Sequence, residues 1–72
     1  MSALPADRTP GQLCEKLSPA ERVVAAHITE GLSNREIAAA LGKSEATVKN
    51  QVSAVLHKLA VPTRARLIAL LR

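Results

Sequence analysis

The hydrophobic pattern of the chain is clearest between residues 45 and 59, where it has the period of an α-helix. At about 100° per residue, five apolar side chains fall within one stripe roughly 100° wide: Val48, Val52, Val55, Leu56 and Leu59. Nowhere does the chain alternate apolar and polar residues over the length of a strand, and it has no Asn-Gly or Asp-Gly hairpin turn. The pattern therefore predicts an all-α fold.

Helix start and stop signals divide most of the chain into four predicted helices. The segments SPAE (residues 18–21) and SNRE (33–36) each have the sequence of a capping box, in which Ser and Glu side chains satisfy free amides at a helix start. Gly is typical just after a helix end, and Pro cannot continue a helix. The predicted helices begin after Ser18, Ser33, Ser44 and Thr63, and they end at Gly31, at Gly42, near Leu59 and near Leu71.

The N-terminal residues differ from the rest of the chain. Residues 1–16 contain Pro5, Pro10 and Gly11 and show no sustained periodicity. We predict that they form a flexible arm or linker preceding a domain of residues 17–72. Cys14 lies in this arm, and we expect it to be an incidental thiol.

Composition excludes several classes of function. The chain of 72 residues has no aromatic residue, one Cys and two His. Without aromatic rings it lacks the stacking platform of proteins that bind single-stranded nucleic acids. The few Cys, His and Asp residues are insufficient for a disulfide, a cysteine-based zinc site or a hydrolase site. We therefore expect no enzyme activity, no metal and no cofactor.

Charge favours an anionic partner. Ten Lys and Arg against six Asp and Glu give a net charge of +4, and residues 33–66, with six basic and two acidic side chains, account for all of it. Such an asymmetry suits phosphate binding, although a solvated helix face would also carry charge. The longest apolar run, Leu67 to Leu71, is far shorter than the ~20 residues that span a bilayer. We expect a cytoplasmic protein without a membrane partner.

The second and third predicted helices have the spacing of a helix-turn-helix. Only Gly42-Lys43-Ser44 separates them, and in this motif the second helix enters the major groove of DNA. Opposite its apolar stripe, the third helix carries Asn50, Ser53 and small residues, with Lys49 at the edge. Lys and Asn side chains are suited to reading guanine and adenine.

From Leu17 to Ile68 the chain resembles the LuxR/FixJ/NarL-type helix-turn-helix domain of bacterial transcription regulators. The matching segments are LSPAER (residues 17–22), EGLSNREIA (30–38), SEATVKNQVS (44–53) and KLAVPTR (58–64). The resemblance implies sequence-specific binding of double-stranded DNA by a dimer, with the recognition helix at residues 45–59. It also implies an effector domain that normally follows a receiver or ligand-sensing domain. Because 72 residues are too few for both, we expect control from outside the chain, from its abundance or from a part not included in it.

The resemblance also assigns roles to residues. The expected base contacts are Lys49, Asn50 and Ser53. The expected contacts to the DNA backbone are Arg35, Lys43, Thr47, Lys58, Arg64 and Arg66. Replacing Lys58 or Arg64 with alanine is then expected to weaken binding to all sequences alike and to reduce the salt slope by about one unit.

Four positions depart from the family pattern, and the mildest change is Gln51 in place of a frequent His. Lys43 occupies a turn position that is usually apolar, where it either contacts phosphate or loosens the turn. Ala60 replaces a usual Gly, so either a left-handed alanine costs roughly 1 kcal/mol or more or the helix end is reshaped. His27 lies beside the apolar face of the first helix, where we expect a half-packed ring rather than a pH switch.

The fourth predicted helix has apolar residues on all sides. Leu67, Ile68, Leu70 and Leu71 point in four directions, so a single face cannot bury them all. We predict that one side packs on the first helix and that these residues form a two-fold dimer interface. RNA polymerase is a further possible partner. The alternative is a protein-interaction module similar to region four of sigma factors, which lacks the segment that follows Pro62.

Overall fold

Residues 15–72 form a cluster of four short helices. The computed structural model describes residues 15–72, so the predicted arm lies almost entirely outside the described residues, as does Cys14. The helices are α1 (Pro19–Thr29), α2 (Asn34–Leu41), α3 (Glu45–Lys58) and α4 (Arg64–Leu71). No strand occurs in residues 15–72, and the all-α prediction is confirmed. Helix α3 ends one residue earlier than predicted, at Lys58, and Leu59 caps it.

Capping boxes start the first two helices, as predicted. In α1 the Glu21 amide donates to the Ser18 hydroxyl (3.2 Å), and the Ser18 amide donates to Glu21 Oε1 (2.9 Å). In α2 the corresponding distances between Ser33 and Glu36 are 3.1 and 2.8 Å. Each box satisfies two amides that have no partner within the helix. The predicted caps of α3 and α4 are also present, at Ser44 and Thr63.

A left-handed residue follows each of the first three helices. Gly31 (φ 91°) and Gly42 (φ 67°) fill this position after α1 and α2, but after α3 it is occupied by Ala60 (φ 57°). The Val61 amide bonds back to the Leu56 carbonyl at 3.0 Å, which is the bond of a Schellman motif. The chain therefore keeps the usual helix end and accepts a strained alanine, which is the first of the two expected outcomes.

Replacing Ala60 with glycine should stabilise the domain. Removal of the Cβ relieves the left-handed strain, and the greater freedom of glycine in the unfolded chain offsets part of this gain, so we expect an increase of roughly 0.5–1 kcal/mol. The free energy of unfolding in urea measures it. The control is Ala39→Gly on the exposed side of α2, which should be destabilising by about 0.5–1 kcal/mol. An Ala60→Gly variant no more stable than the wild type would contradict the expectation.

The core is aliphatic and is centred on α3. Helices α1 and α2 both pack against α3, and α4 packs on α1. Four of the five side chains in the predicted stripe of α3 are buried, and Leu56 is half-buried. The buried side chains are Leu17, Val24, Ala25, Ile28, Ile37, Ala38, Val48, Val52, Val55, Leu59 and Leu67. This packing leaves the opposite face of α3 open to solvent.

None of the helices within residues 15–72 is long and apolar enough to cross a membrane.

Candidate nucleic-acid interface

Helices α2 and α3 form a helix-turn-helix. Helix α2 ends at Leu41 and α3 begins at Glu45. The Lys43 amide bonds back to the Ala38 carbonyl at 2.9 Å, which closes the end of α2. The Ser44 hydroxyl then accepts from the Thr47 amide (3.1 Å) to begin α3. The two caps fix the direction change between the helices, so α3 presents its outer face away from α2.

The outer face of α3 carries the three residues predicted to contact bases. Lys49, Asn50 and Ser53 are exposed. Their side chains make no hydrogen bond or ion pair with any residue in the described part of the chain. Thr47 is also exposed, and its hydroxyl lies 2.8 Å from the Ser44 hydroxyl. The outer face of α3 therefore has free donors and acceptors, whereas the Thr47 hydroxyl is partly engaged in the helix cap.

Lys58, a predicted backbone contact, has a partner inside the protein. Its ammonium lies 2.7 Å from Glu21 Oε1. The Glu21 side chain is only 12% exposed and that of Lys58 is 42% exposed. This ion pair joins the last turn of α3 to the first turn of α1, so part of the charge of Lys58 is neutralised before any ligand binds.

Arg64, another predicted backbone contact, is also engaged. One guanidinium nitrogen donates to Asn34 Oδ1 at 2.5 Å, and the other donates to the Leu32 carbonyl. Both acceptors lie where the chain enters α2, and Arg64 is the first residue of α4. The side chain is half-buried. Both terminal nitrogens therefore donate to acceptors of the protein, although the side chain keeps some contact with solvent.

The three other basic residues in the predicted set differ from one another. Lys43 Nζ donates to Gln51 Oε1 at 3.3 Å, so the lysine braces the turn against α3 rather than loosening it. Arg35 and Arg66 are exposed, and within residues 15–72 no hydrogen bond or ion pair holds either guanidinium. They are the arginines of the predicted set best placed to meet phosphate. Sequence reasoning missed Glu21, Asn34 and Gln51 as partners.

The large apolar residues of α4 differ in burial: one is fully buried and three are partly exposed. Leu67 is fully buried in the core of its own chain, so it is not available to a second copy and its assignment to the dimer interface is corrected. Ile68, Leu70 and Leu71 are half-buried. Leu70 also lines an open depression of about 270 Å³, together with Val61, Arg66 and Ala69.

Comparison with known families agrees with this architecture. The family described as "Bacterial regulatory proteins, luxR family" matches residues 15–71, a range that contains all four helices and both capping boxes. The chain belongs to the LuxR family of bacterial regulatory proteins. It has the DNA-binding helix-turn-helix domain of that family, which is a regulatory family and not a class of enzymes.

Two longer curated proteins each contain a segment similar to this chain. A putative HTH-type transcriptional regulator of Mycobacterium tuberculosis is 42% identical over 52 residues, which are 72% of this chain and 6% of the relative. The probable HTH-type transcriptional regulator GfsR of Streptomyces halstedii is 45% identical over 56 residues, which are 78% of this chain and 22% of the relative. The chain thus spans less than a quarter of either protein. No solved structure matches it.

His27 of this LuxR-family domain has the environment expected from the sequence. Its ring is half-buried at the last turn of α1, and Nδ1 lies 3.1 Å from Glu30 Oε1. The contact is local, between residues three apart in the chain. It lies at the opposite end of α1 from the Glu21–Lys58 pair.

Because of the Glu21–Lys58 pair, the free energy of unfolding of this LuxR-family domain should decrease in acid. The hydrogen bond from Lys58, followed by that from the Ser18 amide, holds the pKa of Glu21 below its ordinary value of 4.5. A carboxyl with a lowered folded pKa contributes stability above its unfolded pKa and loses it as the pH falls through the folded pKa. We therefore expect Glu21→Gln to be less stable than the wild type at neutral pH and to lose less stability below pH 4.5.

Urea unfolding from neutral pH to about pH 3 tests this expectation. Glu45→Gln is the control, because Glu45 is an exposed first-turn glutamate on α3. The free energies of unfolding of Glu21→Gln and of the wild type should converge as the pH falls. The free energy of unfolding of Glu45→Gln should follow that of the wild type at every pH. An equal loss in Glu21→Gln and the wild type would show that Glu21 does not contribute.

Proposed function

We propose that this chain binds double-stranded DNA in a sequence-specific manner, with α3 in the major groove. The observation that carries the proposal is the outer face of α3. Lys49, Asn50 and Ser53 lie on the second helix of a helix-turn-helix, exposed and unpaired within residues 15–72. In this role Lys49 donates to guanine, Asn50 pairs with adenine and Ser53 contacts a base edge. Free donors are an advantage, because no internal bond has to break.

The proposed contacts to the DNA backbone fall into two groups. Arg35 and Arg66 are exposed and unpaired within the described residues, and they are the leading phosphate contacts. The second group is Lys43, Thr47 and Lys58, each of which already has a partner inside the protein. These residues would have to share or give up that contact in order to bind phosphate. Phosphate contacts of this kind position the helix and supply the salt-dependent part of the affinity.

A second copy of the chain is the proposed partner of α4. Ile68, Leu70 and Leu71 form a partly exposed apolar surface on this helix. A two-fold contact through it would present two recognition helices to two half-sites. Sedimentation at tens of micromolar, with and without DNA, tests the dimer. If only monomers are found under both conditions, the dimer proposal is wrong.

Regulation of transcription is the proposed biological role. The two relatives are named as transcriptional regulators. In a regulator of this kind, the present domain would be the part that binds DNA. Such a role would take place in the bacterial cytoplasm, with RNA polymerase as a further partner. The alternative, a protein-interaction module similar to region four of sigma factors, is less favoured because the family match extends beyond Pro62 through α4.

Selection of bound duplexes from a random library, at two salt concentrations, tests the DNA proposal. The chain should enrich one motif at both concentrations, because contacts to bases depend on salt less than contacts to phosphates do. An Asn50→Ala variant serves as the matched control and should enrich a more degenerate motif. Failure of the wild type to enrich any motif would favour the protein-interaction alternative.

A further inference from the structure

Arg64 makes a direct side-chain link between the start of α4 and the start of α2. Helix α4 packs mainly on α1, which in turn packs on α3, whereas α2 packs mainly on α3. The guanidinium of Arg64 crosses from the start of α4 to the start of α2, where it bonds to Asn34 Oδ1 and the Leu32 carbonyl. One side chain thus ties the helix proposed for dimerisation to the helix-turn-helix proposed for DNA binding.

The chemistry of the contact requires arginine. A guanidinium is a planar fork that can hold two acceptors in fixed directions, whereas a lysine ammonium is a point charge on a flexible stem. The two acceptors belong to different kinds of group, an amide side chain and a backbone carbonyl. Each terminal nitrogen has a second N–H group, but the two acceptors fix the guanidinium in an orientation directed at the start of α2. The observed pairing therefore favours an internal role over a phosphate contact.

The orientation of α4 has a consequence for the proposed dimer. When two copies associate through α4, the direction of α4 relative to α3 determines how far apart the two recognition helices lie. Half-site spacing in such dimers reflects this distance. Helix α4 is held to α3 through α1, which packs on both. A side chain that ties α4 to α2 adds a direct constraint on the direction of α4, because the capped turn holds α2 and α3 together.

We propose that Arg64 is a positioning residue that sets the spacing between the two half-sites read by the dimer. This inference rests on the proposed function, since it requires dimerisation through α4. It replaces the expectation that Arg64 binds phosphate. Arg64 acts through Asn34 and Leu32, and the bases are still read by α3.

The test compares Arg64→Lys with the wild type on three kinds of duplex. These are the selected full site, the same site with one base pair added or removed between half-sites, and a duplex with one half-site. Arg64→Lys should bind the single half-site like the wild type and with the same salt slope. Its preference for the correct spacing should fall by about tenfold, since a charged hydrogen bond is lost.

Two further variants separate positioning from phosphate binding. Asn34→Ala removes one acceptor and should reproduce part of the loss of spacing preference. Arg66→Met is the matched control, because Arg66 is an exposed arginine two residues further along α4, and it should reduce the salt slope by about one unit without altering the spacing preference. In addition, the effects of Arg64→Met and Asn34→Ala on the unfolding equilibrium should be non-additive by about tenfold.

The outcomes distinguish this inference from the proposed function. If Arg64→Lys keeps the spacing preference of the wild type, the positioning role is wrong while the dimer stands. If Arg64→Met weakens the single half-site and reduces the salt slope, Arg64 is a phosphate contact. If the wild type itself binds as a monomer with no preferred spacing, the dimer proposal fails and the spacing role fails with it.

Discussion

Replacing Leu67 with alanine is expected to lower the free energy of unfolding by about 2–5 kcal/mol. Leu67 is fully buried in the aliphatic core and is the buried residue of α4. Removal of its side chain leaves a cavity beneath a helix that packs mainly on α1. A domain of this size gains only ~3–5 kcal/mol from its core. The Leu67→Ala chain should therefore lose most of its stability.

Circular dichroism during a urea titration measures this loss, because the chain has no aromatic residue to report on folding by fluorescence. Leu70→Ala is the matched control: Leu70 lies on the same helix but is half-buried. It should be less destabilising, and it should weaken self-association if the dimer forms as proposed. If the two substitutions are equally destabilising, Leu70 contributes as much to the core as Leu67 does and is not mainly an interface residue.

Loss of the Asn50 or Lys49 side chain should reduce sequence discrimination by about 1–3 kcal/mol per position, if each makes a bidentate contact. The effect follows from the exposure of both side chains on α3 and from their lack of partners within residues 15–72. The measurement is the ratio of affinities for the selected site and for random duplex. Neither substitution should unfold the protein, since neither side chain is buried.

Arg35→Ala is the control for this experiment. Arg35 is exposed at the start of α2 and belongs to the proposed phosphate contacts. Its loss should weaken the selected and random duplexes alike and reduce the salt slope by about one unit. If Asn50→Ala also weakens both duplexes equally, Asn50 does not read a base.

Local signals in the sequence predicted the helices well, because caps and helix ends depend on residues close together in the chain. The Ser18 and Ser33 boxes form as predicted, and Gly31 and Gly42 take left-handed conformations. The apolar stripe of α3 also determined which of its faces is open. In each case the interaction spans six residues or fewer or follows the helix period, so periodicity and capping rules suffice.

The contacts of the basic residues could not be predicted in this way. Lys58 pairs with Glu21 across 37 positions, and Arg64 reaches Asn34 across 30. Long flexible side chains have many rotamers, and no local pattern indicates which partner lies within reach. The resemblance assigned both residues to the DNA backbone, and neither it nor the charge of residues 33–66 indicated a partner inside the protein.

Helix α4 shows a different use of the sequence pattern. At about 100° per residue, its leucines and Ile68 span an arc of roughly 160°, and Leu67 lies near the centre of that arc. Leu67 is also the residue of α4 that is fully buried. The helix period therefore indicates the side that faces the core, whereas treating the four side chains as equivalent assigned all of them to the dimer interface.

The oxygen shared at Glu21 couples two distant helix ends to one another. Oε1 accepts both from the Ser18 amide in the first turn of α1 and from Lys58 in the last turn of α3. Fraying of either end should weaken the hold on the other, so we expect the amide hydrogens of the two turns to exchange at correlated rates. A ligand that drew Lys58 away from Glu21 would then loosen the start of α1.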